Sequence, residues 1–151
     1  MQYHFNWKQL SAIAGITWWT FYFRLYPGTI KTSHVMDFLL QLMRHIPGRL
    51  LVIWDGLSSH RSCVLRDFIE DLDGRITLER LPGYAPELNP AEYIWGHWKH
   101  HELANLCAKD FTQLSWYARR ALRRMRRRPT LVRAFWKQAE LFDANLLFKS
   151  Q

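Results

Sequence analysis

Cysteine is scarce in this chain. Only Cys63 and Cys107 occur among 151 residues, too few for a disulfide framework, and a reducing cytosol fits best. Long apolar runs are missing as well. No stretch approaches the roughly 18 residues that a membrane span needs. The N-terminus has no basic start followed by a long apolar region, so no secretory signal is expected. Acid is missing from one place in particular. Between Phe111 and Ala139 there is no Asp or Glu, yet Arg119, Arg120, Arg123, Arg124, Arg126, Arg127, Arg128, Arg133 and Lys137 all fall there. These nine cations exceed the whole chain's net +8, which leaves the remainder near neutral. A local basic stripe points to a polyanionic partner, most often nucleic acid.

What is present reads as globular. Hydrophobic residues are 48% and charged residues 23%, and eight Trp, nine Phe and six Tyr supply a sizeable core. The length fits one domain of roughly 100–200 residues.

The hydrophobic pattern predicts alternating elements. Leu10 to Ile16 reads as a strand, and Trp18 to Tyr26, dense in aromatics, as a second, closed by Pro27-Gly28. Thr32 or Ser33 caps a helix whose apolar face is Met36, Leu39, Leu40, Met43 and Ile46, and Pro47-Gly48 stops it. Leu50 to Asp55 is a continuous apolar run ending in a carboxylate, which reads as a strand buried on both faces. Ser58 or Ser59 caps the next helix, with Leu65, Phe68, Ile69 and Leu72 on one side. Asp73-Gly74 turns the chain into a strand at Ile76 to Leu81. Strand, helix and strand at this spacing predict a parallel βαβ unit.

The segment from Leu81 to Pro90 carries three prolines and reads as a rigid connector. Asn89 caps a helix with Pro90 at its first position, running to about Leu103. Two more helices follow. In the first, Leu114, Ala118, Leu122 and Met125 face in, while Arg119, Arg120, Arg123, Arg124 and Arg127 face out. The last spans about Leu131 to Phe142.

Two carboxylates stand out. Asp55 ends a strand, and in α/β sheets ligands bind at the carboxyl ends of strands. Taken alone, it reads as an Asp that accepts N–H bonds in the following turn. Glu92 falls at the third helical position after Asn89, where a Glu completes a capping box. Taken together, they end up at one edge of a sheet if their strands are parallel neighbours. Two hard carboxylates converging there suit Mg²⁺ or Mn²⁺, and a pair of such ions supports phosphodiester displacement.

Both carboxylates lie in motifs. Asp55-Gly-Leu-Ser-Ser-His60 resembles the second-carboxylate motif of the DDE transposases related to mariner elements and bacterial insertion sequences. Leu81-Pro-Gly-Tyr-Ala-Pro-Glu-Leu-Asn-Pro-Ala-Glu92-Tyr-Ile-Trp-Gly-His-Trp-Lys99 is similar to that family's third-carboxylate motif, with Glu92, not Glu87, at the catalytic glutamate. The separation of 37 positions lies in the family's range. The resemblance implies an α/β, RNase H-like mixed sheet flanked by helices, with Asp55 and Glu92 as catalytic metal ligands. It also implies DNA transposition by metal-dependent cleavage and strand transfer, DNA as partner at element ends and target, and a bacterial cytosolic protein associated with the nucleoid when DNA-bound. His60 and Lys99 become accessory candidates. Residues 1–151 are then one domain, with the sheet and catalytic helix in 1–109 and basic helices in 110–151.

One feature departs from the family. Its first aspartate, on the first central strand, has no counterpart; the only acid before Asp55 is Asp37, inside a predicted helix. The first central strand is therefore expected to be absent, as in a truncated, frameshifted or decayed reading frame. The missing strand belongs between Leu10–Ile16 and Leu51–Asp55, so a gap there, or completion by a second copy or an N-terminal fragment, is expected. A non-catalytic nucleic-acid-binding remnant is the rival reading, and a nuclease that hydrolyses without strand transfer shares the same chemistry.

Other residues carry simpler expectations. His97, His100 and His101 invite a zinc reading, but Glu102 is expected off their face, and a solvated surface is preferred. Cys63 and Cys107 are expected as buried small hydrophobes, and Trp95 and Trp98 as core. If the arginine helix contacts phosphates, binding is sequence-tolerant and falls steeply with salt.

Overall fold

Thr17 and Thr20 close the first hairpin. The Thr17 N–H donates to the Thr20 carbonyl at 2.8 Å, and the Thr17 hydroxyl accepts from the Thr20 N–H at 3.2 Å. This happens in a computed structural model that describes residues 10–56, 59–83 and 85–139, without the side chains of 59–62. The turn joins β1 (Leu10–Ile16) to β2 (Phe21–Pro27), antiparallel from Ile16↔Phe21 to Leu10↔Pro27. β2 therefore starts later than the aromatic run implied: Trp18 and Trp19 occupy the turn, because the threonine pair closes it around them.

The chain divides into two units, Met1–Thr29 with Pro86–Gln151, and Ile30–Ala85. In the first, one face of the hairpin is apolar. Ala12 opposes Leu25, Ala14 opposes Phe23 and Ile16 opposes Phe21, so the pleat sends all six side chains the same way. That face packs into a core with α3 (Pro90–His97), α4 (Phe111–Arg126) and α5 (Pro129–Gln138). Phe21, Ile94, Leu122, Met125 and Val132 are fully buried. Two indoles tie the layers polar-to-polar: Trp98 Nε1–H donates to the Ala118 carbonyl at 3.2 Å, and Trp136 Nε1–H to the Thr17 carbonyl at 2.7 Å. Trp98 is buried and Trp95 packs against the same core, as read from the sequence. α5 begins at Pro129, two residues before the expected start, since proline suits the first helical position. Its expected end at Phe142 lies outside the described residues.

The second unit holds α1 (Thr32–His45), β3 (Leu50–Trp54), α2 (Ser59–Glu70) and β4 (Ile76–Arg80). β3 and β4 pair in parallel, Leu50↔Ile76 to Trp54↔Arg80, as the βαβ spacing requires. Asp73 (φ 50°) and Gly74 (φ 76°) make the turn before β4. Arg75 fastens that turn to the end of α1: its guanidinium donates to the Met43 and Ile46 carbonyls at 3.0 and 2.8 Å, satisfying acceptors that a helix end leaves open.

Several expectations are corrected here. The N-cap of α1 is Lys31, not Thr32 or Ser33; its N–H donates to His34 Nδ1 at 3.0 Å. The buried face of α1 is Val35, Phe38, Leu39 and Leu42, rotated from the predicted one, because aromatic Phe38 is the larger side chain to bury. β3 is not buried on both faces. Leu51 is 62% and Ile53 38% exposed, while Leu50, Val52 and Trp54 are half-buried. Only alternate positions are covered, and among the described residues β4 is its one strand neighbour. Cys63 and Cys107 are exposed rather than core, Cys63 on the outer side of α2 and Cys107 in the loop before α4.

The described residues thus form a mixed α/β protein with five α-helices and two two-stranded sheets, β1-β2 and β3-β4. The strands expected to flank an absent one, β1 and β3, belong to different sheets. Among the described residues no helix is long and apolar enough to cross a membrane.

Candidate functional site

Asp55 follows the last residue of β3. The ladder runs one step past the strand, where the Leu81 N–H donates to the Trp54 carbonyl at 2.7 Å, so the backbone position of Asp55 is fixed from one side. Its side chain is exposed, and among the described residues no hydrogen bond or ion pair engages it. The turn that would have accommodated it as a capping Asp falls on residues 57 and 58, outside the described ones. Gly56 turns the backbone at this end. Its φ is +92°, and a methyl group there would stand 2.8 Å from Arg80 Nε, whose side chain lies against it. Gly56→Ala is therefore expected to destabilise the chain by about 1–2 kcal/mol from backbone strain. Chemical denaturation measures it; an unchanged midpoint would contradict the strain.

Glu92 stands in the first turn of α3, half-buried. The local sequence explains the start of the helix. Asn89 caps it, with Oδ1 accepting from the Ala91 N–H at 3.1 Å, and Pro90 takes the first position, where no N–H is needed. The expected capping box does not form. The Asn89 N–H donates instead to the Pro86 carbonyl at 3.0 Å, closing the short 3₁₀ turn Pro86–Leu88. With that donor satisfied, the Glu92 carboxylate has no capping duty, and among the described residues no polar partner engages it. The proline-rich connector displaces the glutamate from the role that local rules would give it.

Asp55 lies in the second unit and Glu92 in the first. Both are hard oxygen donors without a competing partner among the described residues, which suits a divalent cation in kind. Among the described residues no three His, Cys, Asp or Glu side chains gather as a metal set. Asp37 is exposed on α1. The side chain of His60 lies outside the described residues; Lys99 is exposed in the turn that follows α3.

That turn is a π-helical segment, Trp98–Glu102. Its wider winding brings Glu102 under His97, five residues back, with Glu102 Oε1 3.6 Å from His97 Nε2. The expectation that Glu102 lies off the histidine face assumed α-helical winding, and it is corrected here. Glu102 also reaches α4 and the cap of α5: Arg124 Nε donates to its Oε2 at 3.1 Å, a second Arg124 nitrogen donates to the same oxygen, and Arg128 Nη1, at the N-cap of α5, is 3.9 Å from Oε1. Nothing in the spacing of these residues announces the cluster.

His97 has its pKa lowered from 6.5, first by burial, then by the neighbouring His101 and by Arg128, with Glu102 pulling the other way. A lowered histidine pKa means that the unfolded chain takes up the proton first. Stability is therefore complete above 6.5 and is lost as pH falls through that value toward the folded pKa. Melting temperature is expected to fall on acidification across this window and to fall less in His97→Asn; equal slopes would contradict the assignment.

α4 presents the basic surface. Leu114, Ala118, Leu122 and Met125 are buried, together with Ala121, while Arg119, Arg120, Arg123, Arg124 and Arg127 are exposed, as the pattern predicted. Asp110 caps the helix by accepting from the Gln113 N–H at 2.7 Å. Among the five arginines Arg124 differs, because Glu102 holds it. The sequence reading missed the aromatics of this surface. Trp116 and Tyr117 are exposed, although Trp116 four residues before Arg120 was a legible signal.

A family model described as DDE superfamily endonuclease matches residues 4–115, which include both acidic motifs. No curated protein and no solved structure matches the chain.

Proposed function

This chain belongs to the DDE superfamily endonucleases, and from that premise we propose that it is the catalytic part of a transposase of the mariner and insertion-sequence type, acting on DNA. The reading includes an RNase H-like sheet in which Asp55 and Glu92 hold the same divalent cation, Mg²⁺ or Mn²⁺. The observation that carries it is the state of Glu92: a glutamate in a capping position whose capping role is filled by others. The family match supports a DNA substrate and cleavage of phosphodiester bonds. When bound, such ions activate the attacking oxygen and stabilise the leaving one. The chain's own residues do the rest. The two carboxylates supply the negative charge that retains the ions, and the α4 arginines hold DNA phosphates. In the full reaction water cuts an element end to expose a 3′-hydroxyl, which then attacks a target phosphorus and displaces the target's own 3′-oxygen.

Asp37 does not supply a third ligand on this reading, since it sits on a helix and not at a strand end. With two carboxylates alone the polypeptide accordingly binds metal weakly and is impaired, and a second copy or another polypeptide completes the site. The test is product analysis on DNA carrying element ends, with Mg²⁺ or Mn²⁺. Little or no strand transfer by this chain alone is expected. Robust cleavage would overturn the impairment, and cleavage that survives Asp55→Asn would overturn the site. His60 and Lys99 are proposed as accessory groups near the substrate.

A further inference from the structure

The outward face of α4 carries more than charge. Trp116 is 53% and Tyr117 37% exposed, although the five buried positions on the same helix hold nothing larger than leucine or methionine. The rings meet edge-on, 4.9 Å apart at 82°. One turn on, Arg120 lays its guanidinium over the indole at 5.0 Å from the ring centroid. Arg123 and Arg127 continue the line at the seventh and eleventh residues after Trp116, the spacing of one helical stripe. Among the described residues neither is paired with a carboxylate, in contrast to Arg124. The stripe is about 16 Å long at 1.5 Å per residue.

Phosphates alone would be served by arginines alone. A duplex keeps its base faces stacked inside and offers a flat exposed indole nothing to cover, whereas an unpaired base offers a face of matching size. A guanidinium backing the indole fixes its plane and adds cation–π attraction. We propose that this stripe binds single-stranded DNA, Trp116 stacking on an unpaired base with Arg120 behind it and Arg123 and Arg127 on adjoining phosphates. The inference rests on the DNA-acting reading above and deepens it: the surface selects DNA that is locally unpaired, as strand ends become when they are cut and moved.

The test is the affinity of the full chain for a labelled oligothymidine of about a dozen nucleotides and for a blunt duplex, each across a range of salt. Trp116→Ala is expected to weaken the single-strand complex roughly five- to hundredfold while leaving the duplex within about twofold, with the salt slope unchanged. Trp116→Phe retains most of the affinity. Arg123→Ala weakens both complexes and lowers the slope by about 0.7–0.9. Trp116 lies outside the core, so thermal melting should register the same fold in each variant. Equal loss for both DNAs, or no loss for either, overturns the inference while the family reading stands. So does a Trp116→Ala variant that changes only the sedimenting mass, which would mark a contact between copies. Failure to bind any DNA overturns the DNA-acting reading and this inference with it.

Discussion

Asp55→Asn is expected to lower Mn²⁺ affinity at least about tenfold, Glu92→Gln by a similar factor, and the double variant little further. The reasoning is that of a shared ion. Two carboxylates on one cation hold it as a chelate, and losing either leaves a lone carboxylate, which grips a hydrated divalent ion only feebly. The second loss then removes little that remains. Independent sites would behave otherwise, each substitution subtracting its own increment and the two adding. Both substitutions keep shape and remove charge. Asp55 is exposed and Glu92 lacks a polar partner among the described residues, so neither change opens a cavity or leaves a donor unmet. Titration of free Mn²⁺ by its electron-spin resonance measures all four proteins; additive losses would contradict a common ion.

Phe21→Ala is expected to cost about 3–5 kcal/mol. Phe21 has no exposed surface and belongs to the core that the hairpin shares with the helices, with the Phe23 ring 6.1 Å away. The loss combines the transfer of a large aromatic to water with the void it leaves. Against a total stability of about 5–15 kcal/mol, that should lower the melting temperature by about 6–20 °C. Two residues earlier the outcome reverses. Trp19 is 47% exposed with Arg133 5.9 Å over its ring, and Trp19→Ala is expected to cost about 1 kcal/mol or less. Matched scanning calorimetry of the two variants checks the contrast; similar losses would contradict the assignment of the hairpin's faces.

Much of the fold was legible because local chemistry and tertiary structure agree. Asn89-Pro90 opens α3 as capping rules require, Asp73-Gly74 turns into β4, and the α4 arginines face out because the apolar residues between them recur at helical spacing. Legibility failed where a neighbour overrode the local rule. The apolar run of β3 looks the same whether one face is covered or two, so Leu51 and Ile53 gave no warning of their exposure. The Trp18-Trp19 pair reads as strand by composition, yet threonines on either side close a turn around it. Glu102 escaped because a π-helical turn moves it onto a face that α-helical counting assigns elsewhere.

The candidate site divides along the same line. Asp55 and Glu92 were found by motif, and the structure adds that Glu92 is released from its cap by the Pro86 carbonyl. The arginine surface was found by its charge and by the helical spacing of the apolar residues between the arginines. Its division into a stripe held by Glu102 and a stripe led by Trp116 needed three-dimensional contacts between residues as much as 22 positions apart.

The central claim is that Asp55 and Glu92 grip one ion. Substoichiometric Mn²⁺ added to the isotope-labelled chain tests it through paramagnetic broadening of backbone amide signals, which reports proximity without requiring tight binding. The account predicts that the amides of Asp55-Gly56 and of Ala91-Glu92 fade together at one metal concentration, and that Glu92→Gln spares both groups. Broadening of one group alone, with the other sharp until far more metal is added, would contradict it.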